Sequence, residues 1–233
     1  MNISKDQNIG ELVATDYRTA QVFKDHNIDF CCNGNRSIEE ACSEKGIDPE
    51  NILKALEETR ETRSSGTDFR SWPLDLLADY VEKKHHRYVE RQIPVLKEYL
   101  AKINQVHGDN HPELGKIQEL FNETAGELSA HMKKEELILF PLIRKMVTRT
   151  GGTENTMPVG GPIKKMMEEH DSEGARFRKI SELSGNYAPP ADACNTYRTA
   201  FSLLKEFEED LHEHIHLENN ILFPKSIELE EAV

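Results

Sequence analysis

Along most of this chain apolar residues return every three or four positions, the period of an amphipathic helix, and the alternation of a half-buried strand is nearly absent. Four long stretches carry the helical pattern: Pro73 to Val106, Pro112 to Arg149, Pro162 to Leu183 and Ala191 to Ile227. Pro94 falls inside the first, where a ring without an amide hydrogen predicts a kink or a local break. The joins are His107-Gly-Asp-Asn-His111, the glycine-rich Thr150–Gly161 and Ser184-Gly-Asn-Tyr-Ala-Pro-Pro190. Four helices with short joins predict an up-down-up-down bundle over residues 73–230. Residues 1–62 read as a separate small helical domain. Ile9–Ala14 and Tyr17–His26 have a helical pattern, and Ser37 with Glu40 three residues on is a capping box. Asp48-Pro49 places an N-cap before a proline at the first helical position. Glu61 to Asp68 is polar, without periodicity, and reads as a linker. The expected fold class is all-α, a four-helix bundle preceded by a small helical domain.

Charge narrows the range of partners. The 233 residues include 29 lysines and arginines against 42 aspartates and glutamates, a net charge of −13. Phosphate recognition needs a basic face, so neither nucleic acid nor an anionic membrane is expected as a main partner. The longest apolar run, Leu137 to Ile143, falls far short of the roughly 20 residues that span a bilayer. The opening MNISKDQNIG holds no apolar segment of the kind an export signal carries, which leads us to expect a cytoplasmic protein. Cys31, Cys32, Cys42 and Cys194 are too few and too scattered for a disulfide scaffold, so reduced thiols are expected.

The candidate chemistry lies in an internal repeat. His131-Met-Lys-Lys-Glu-Glu-Leu-Ile-Leu-Phe-Pro141 and His214-Ile-His-Leu-Glu-Asn-Asn-Ile-Leu-Phe-Pro224 share the histidine, the glutamate four residues on, and Ile-Leu-Phe-Pro. Nearly the same offset relates His86 to His170, so the bundle reads as two tandem helical hairpins. Each offers a histidine on its first helix and His-x-x-x-Glu on its second. Residues four apart differ by only about 40° around a helix and share a face. Glu135 falls within the apolar stripe of Leu128, Leu139 and Leu142, and Glu218 within that of Phe207, Leu211 and Leu222. A buried carboxylate is costly unless it is paired or binds metal, and neither stripe carries a lysine or arginine. Four histidines and two bridging carboxylates suit two metal ions, and such ligands fit iron, manganese or zinc better than copper(I). Helix phase favours His85 over His86 as the first ligand. Repeat register favours His86, and we take His86. His212 and His216 fall on the outer face of the last helix and read as solvated.

The two His-x-x-x-Glu segments resemble those of the hemerythrin-like di-iron proteins. With Asp29-Phe-Cys-Cys-Asn-Gly34, the chain from roughly residue 9 to residue 226 resembles the repair-of-iron-centres family, also called ScdA-type iron–sulfur cluster repair proteins. The family's ligand pattern carries over to His86, His131, Glu135, His170, His214 and Glu218. The resemblance implies two non-haem iron ions, oxo- and carboxylate-bridged, and a stress role in restoring iron–sulfur clusters damaged by nitric oxide or oxidants. In oxygen-carrying hemerythrins a second histidine follows four residues after the one on the third helix. Here that position is Gly174, which implies a more open centre.

Cys31 and Cys32 are adjacent in a turn, where a mutual disulfide would be strained. No catalytic residue is assigned. The pair reads as accessible thiols that receive iron, nitric oxide or electrons, while Cys42 and Cys194 read as structural. Three functions follow: repair by supplying iron, reduction of nitric oxide to nitrous oxide at the di-iron site, or binding of oxygen or nitric oxide as a sensor or scavenger. The expected partners are damaged iron–sulfur proteins and nitric oxide or oxygen. An electron donor and a homodimer remain open. There is no nucleotide or flavin fingerprint, so electrons must come from a partner or from the thiols.

Overall fold

The computed structural model describes residues 3–61, 67–148 and 157–232. Most of the linker and of the glycine-rich join lies outside the described residues. Helices α1 (Ile9–Thr15), α2 (Thr19–Asp25), α3 (Ile38–Lys45) and α4 (Pro49–Glu61) come first. After a single 3₁₀ turn at Phe69–Ser71 come α5 (Leu74–Tyr80), α6 (Arg87–His107), α7 (Glu113–Lys134), α8 (Phe140–Val147), α9 (Gly160–Leu183), α10 (Asn195–Leu217) and α11 (Phe223–Ala232). No named strand occurs among the described residues. Between α5 and α6, α7 and α8, and α10 and α11, the chain stays helical but widens into a π turn, at Val81–His86, Glu135–Leu139 and Glu218–Leu222. The bundle helices are therefore α5–α6, α7–α8, α9 and α10–α11, running up, down, up and down.

Two of the π turns have a local cause. The Phe140 N–H reaches the Glu135 carbonyl and the Phe223 N–H reaches the Glu218 carbonyl, each five residues back. Pro141 and Pro224 follow at once. Proline has no N–H to give the carbonyl four residues back, and its ring needs room there. Ile-Leu-Phe-Pro is thus a backbone signal as well as an apolar one. Pro94 acts differently: α6 runs unbroken through it, and the interruption lies earlier, at Val81–His86.

The chain divides into two compact units, Met1–Leu77 with Ile215–Val233, and Ala78–His214, with boundaries inside α5 and α10. In the first, Ile9, Val13, Phe23, Ile38, Ile52 and Leu56 form the core, and α1 packs on the π turn at Glu218–Leu222. Ser37 and Glu40 make the capping box, and Gly46, at a φ of 67°, closes α3 in the left-handed conformation glycine adopts at least cost. Lys225 Nζ ties α11 to the Trp72 carbonyl at 2.7 Å. In the second unit, α7 packs against α6 and α9. Phe207 is fully buried, stacked with Phe177 at 5.7 Å and edge-on to Phe121 at 5.4 Å. Each such phenylalanine contributes roughly 1.5–3 kcal/mol by burial.

Candidate metal centre

His86 ends the first π turn, His131 lies in the last turn of α7, Glu135 opens the second π turn, and His170 and His214 lie in α9 and α10. All five are buried. The two oxygens of Glu135 point to different helices: Oε2 stands 3.3 Å from His86 Nε2 and Oε1 3.3 Å from His131 Nε2. Neither oxygen has a hydrogen bond. His131 Nε2 and His170 Nε2 stand 3.1 Å apart. Donor atoms of His86, Glu135 and His214 lie within 4.8 Å of one another, as do those of His131, Glu135 and His170. Glu135 therefore belongs to both triads. Glu218, also fully buried, follows His214 by one turn of the same continuous helix and opens the third π turn, as Glu135 opens the second.

A second layer orients the histidines. His86 Nδ1 donates to Glu136 Oε1 at 2.9 Å, and Arg87 anchors the same oxygen at 2.6 Å. His131 Nδ1 donates to Glu169 Oε2 at 2.9 Å, while Lys134 holds Glu169 Oε1 at 2.6 Å. With the proton fixed on Nδ1, each Nε2 lone pair is turned inward, the arrangement that raises ligand basicity and fixes the tautomer. Phe140 stacks on the His86 ring at 5.6 Å and keeps water from that side. Burial would push the Glu135 carboxyl up, but His131 and His86, when protonated, outweigh it and hold the group well below the usual carboxylate range. His85 faces elsewhere: its Nδ1 meets Asp210 Oδ1 at 3.0 Å, and its ring stacks on His214 at 5.6 Å. Burial lifts the Asp210 carboxyl to about 6, against the pull of His214, Lys84 and His86.

The hemerythrin HHE cation binding domain matches residues 77–226, and a domain of unknown function, DUF542, matches residues 5–60. The iron–sulfur cluster repair protein YtfE of Pectobacterium atrosepticum is 36% identical over 228 residues, covering 96% of this chain and 97% of its own length. YtfE of Yersinia pseudotuberculosis is 33% identical over 223 residues, covering 96% and 97%. The iron–sulfur cluster repair protein ScdA of Staphylococcus haemolyticus is 30% identical over 223 residues, covering 96% and 99%. This chain belongs to the iron–sulfur cluster repair family. Its bundle is hemerythrin-like, and such a domain implies a pair of non-haem irons. The residues present fit that group. Imidazole and carboxylate donors suit iron, and a buried carboxylate turned on two imidazole nitrogens without a hydrogen bond is costly unless a cation lies between them.

Three readings of this repair-family chain change with the structure. His216 is buried, not solvated, and lies against Tyr17 at 5.7 Å and Phe30 at 6.0 Å, because within its unit the N-terminal helices cover that face. Burial lowers its pKa to about 3. Cys194 is exposed, not structural, with His107 Nε2 3.3 Å from its sulfur. Backbone N–H of Tyr197 and the His107 ring lower its thiol to about 7. Of the pair taken as accessible, Cys31 is buried and only Cys32 is partly open. Cys42 is buried, as expected. Gly174 is buried in α9. The sequence reading missed Glu173 beside it, buried and paired with Arg176, and missed Glu136 and Glu169.

The adjacent histidines separate cleanly by experiment. His86→Ala is expected to leave one of two irons weakly held, with metal analysis after gel filtration giving about one per chain and affinity falling at least about tenfold. His85→Ala is expected to keep both irons while losing stability to the cavity beside His214, read by thermal unfolding. Iron loss from the His85 variant alone would reverse the assignment.

Proposed function

We propose that this chain repairs iron–sulfur clusters damaged by nitric oxide or oxidants by supplying iron held in its bundle. His86, His131, His170 and His214 bind the two irons, and Glu135 and Glu218 bridge them. One observation carries the reading: a fully buried glutamate whose two oxygens each stand 3.3 Å from the Nε2 of a histidine on a different helix, with no hydrogen bond to either. Bound iron supplies the ion for rebuilding a cluster and the capacity to exchange electrons with small ligands. The chain's own groups hold it ready. Glu136 and Glu169 keep the Nδ1 protons in place, and Phe140 excludes water from the His86 side. Gly174 takes no part as a ligand, so one position that a histidine fills in oxygen carriers stays open for exchange or for nitric oxide. The clients are damaged iron–sulfur proteins.

Mixing the iron-loaded protein with a cluster-stripped iron–sulfur enzyme, sulfide and thiol tests this. Client activity is expected to return as iron leaves the chain, and not with the Glu135→Ala protein. Steady conversion of nitric oxide to nitrous oxide with an added reductant, with the iron retained and no client recovery, would replace iron supply by reduction.

A further inference from the structure

Among the described residues, one other group of side chains outside the bundle cluster is arranged as metal donors. Asp29, Cys31 and Cys32 bring a carboxylate oxygen and two sulfurs within 4.8 Å of one another. We propose that these three residues form a separate one-ion site that takes a borderline divalent cation through two thiolates and a carboxylate. That the ion in use is ferrous iron rests on the iron-supply reading above.

The spacing is the first argument. The two sulfurs stand 3.9 Å apart. Two thiolates bound to one tetrahedral ion at about 2.3 Å each fall about 3.8 Å apart, so the pair needs almost no rearrangement. The turn is also fixed in advance. Asp29 Oδ1 accepts the backbone N–H groups of Cys31 at 3.1 Å and Cys32 at 3.0 Å, and Oδ2 accepts from Asn33 Nδ2 at 3.0 Å. A Cβ on Gly34 would meet the Phe30 carbonyl oxygen at 2.3 Å, so only glycine closes the turn this tightly. The Cys31 thiol also lies 3.4 Å from Asp29 Oδ1, which sets its sulfur between the carboxylate and the Cys32 sulfur.

The second argument concerns exchange. Cys31 is buried while Cys32 is partly open. Three donors leave a fourth position for solvent or an incoming ligand, the pattern of sites that react rather than of closed structural ones. The Cys31 carbonyl also accepts from Asn219 Nδ2 at 3.5 Å and Asn220 Nδ2 at 3.3 Å. Both asparagines lie in the same unit and directly follow Glu218, a proposed bridge. The cysteine turn is thereby tied to the helical turn that carries Glu218.

Cadmium is the probe. The full-length, iron-loaded protein is titrated with Cd²⁺, reading the thiolate-to-cadmium absorption in the ultraviolet and the iron retained. One cadmium per chain is expected with iron unchanged. Cys31→Ser and Cys32→Ser, each nearly isosteric, are expected to weaken it by roughly 10–100-fold or more, and Asp29→Asn, which keeps an oxygen to accept the Cys31 and Cys32 N–H groups but loses the bond from Asn33, by a smaller factor. No thiolate absorption in the parent, cadmium bound equally by both serine variants, or dependence on Cys194 instead would overturn the site. A parent that binds cadmium at the pair yet transfers no iron to a client would leave the site standing and remove the supply reading.

Discussion

Glu135→Ala is expected to take the iron content of the purified protein from two per chain to less than one. Glu135 is common to both histidine triads, so its loss takes a ligand from each ion at once, where any single histidine serves one. In the apo protein two effects oppose each other: the desolvation cost of the buried carboxylate is relieved, while its attraction to His131 and His86 is lost and a cavity is left. The expected pattern is intact helical circular dichroism and no near-ultraviolet charge-transfer band. Full iron in this variant would mean that the repeat and the inward-facing donors have another purpose.

Phe207→Ala is expected to lower stability by about 3–5 kcal/mol, the range for a large buried aromatic cut to alanine. Phe207 stacks on Phe177 and meets Phe121 edge-on, so three helices lose contact at one point. In a domain of this size that corresponds to a fall of about 6–20 °C in the melting temperature. Urea unfolding followed by circular dichroism measures it. A loss under about 1 kcal/mol would show that the neighbouring rings collapse into the space.

How much of this could be read from residues alone differs from site to site. Periodicity marked all four bundle helices, and the repeat marked His131, Glu135, His214 and Glu218, because helical phase fixes which face a residue occupies. Phase failed at His85 and His86. The π turn there shifts the register by part of a turn, and nothing in the apolar pattern announces it. Pro141 and Pro224 mark the other two π turns through backbone chemistry, a signal that the reading of periodicity and repeat did not use. Glu136 and Glu169 were hidden by adjacency: each sits beside a residue of the cluster, where a charged neighbour reads as surface. Their role depends on which histidine ring lies across from them, a tertiary fact. His216 was misjudged for a related reason. Its face is outward for an isolated bundle, but Tyr17 and Phe30 cover it, and helix phase cannot show what the N-terminal residues do.

The central claim is that the buried carboxylate and its histidines bind two irons. Metal analysis with Mössbauer spectroscopy of the iron-loaded, full-length protein tests it most directly. The account predicts two irons per chain, both non-haem and magnetically coupled through a shared bridge. One iron per chain, two uncoupled irons, or a bundle that stays folded without taking up iron would contradict it.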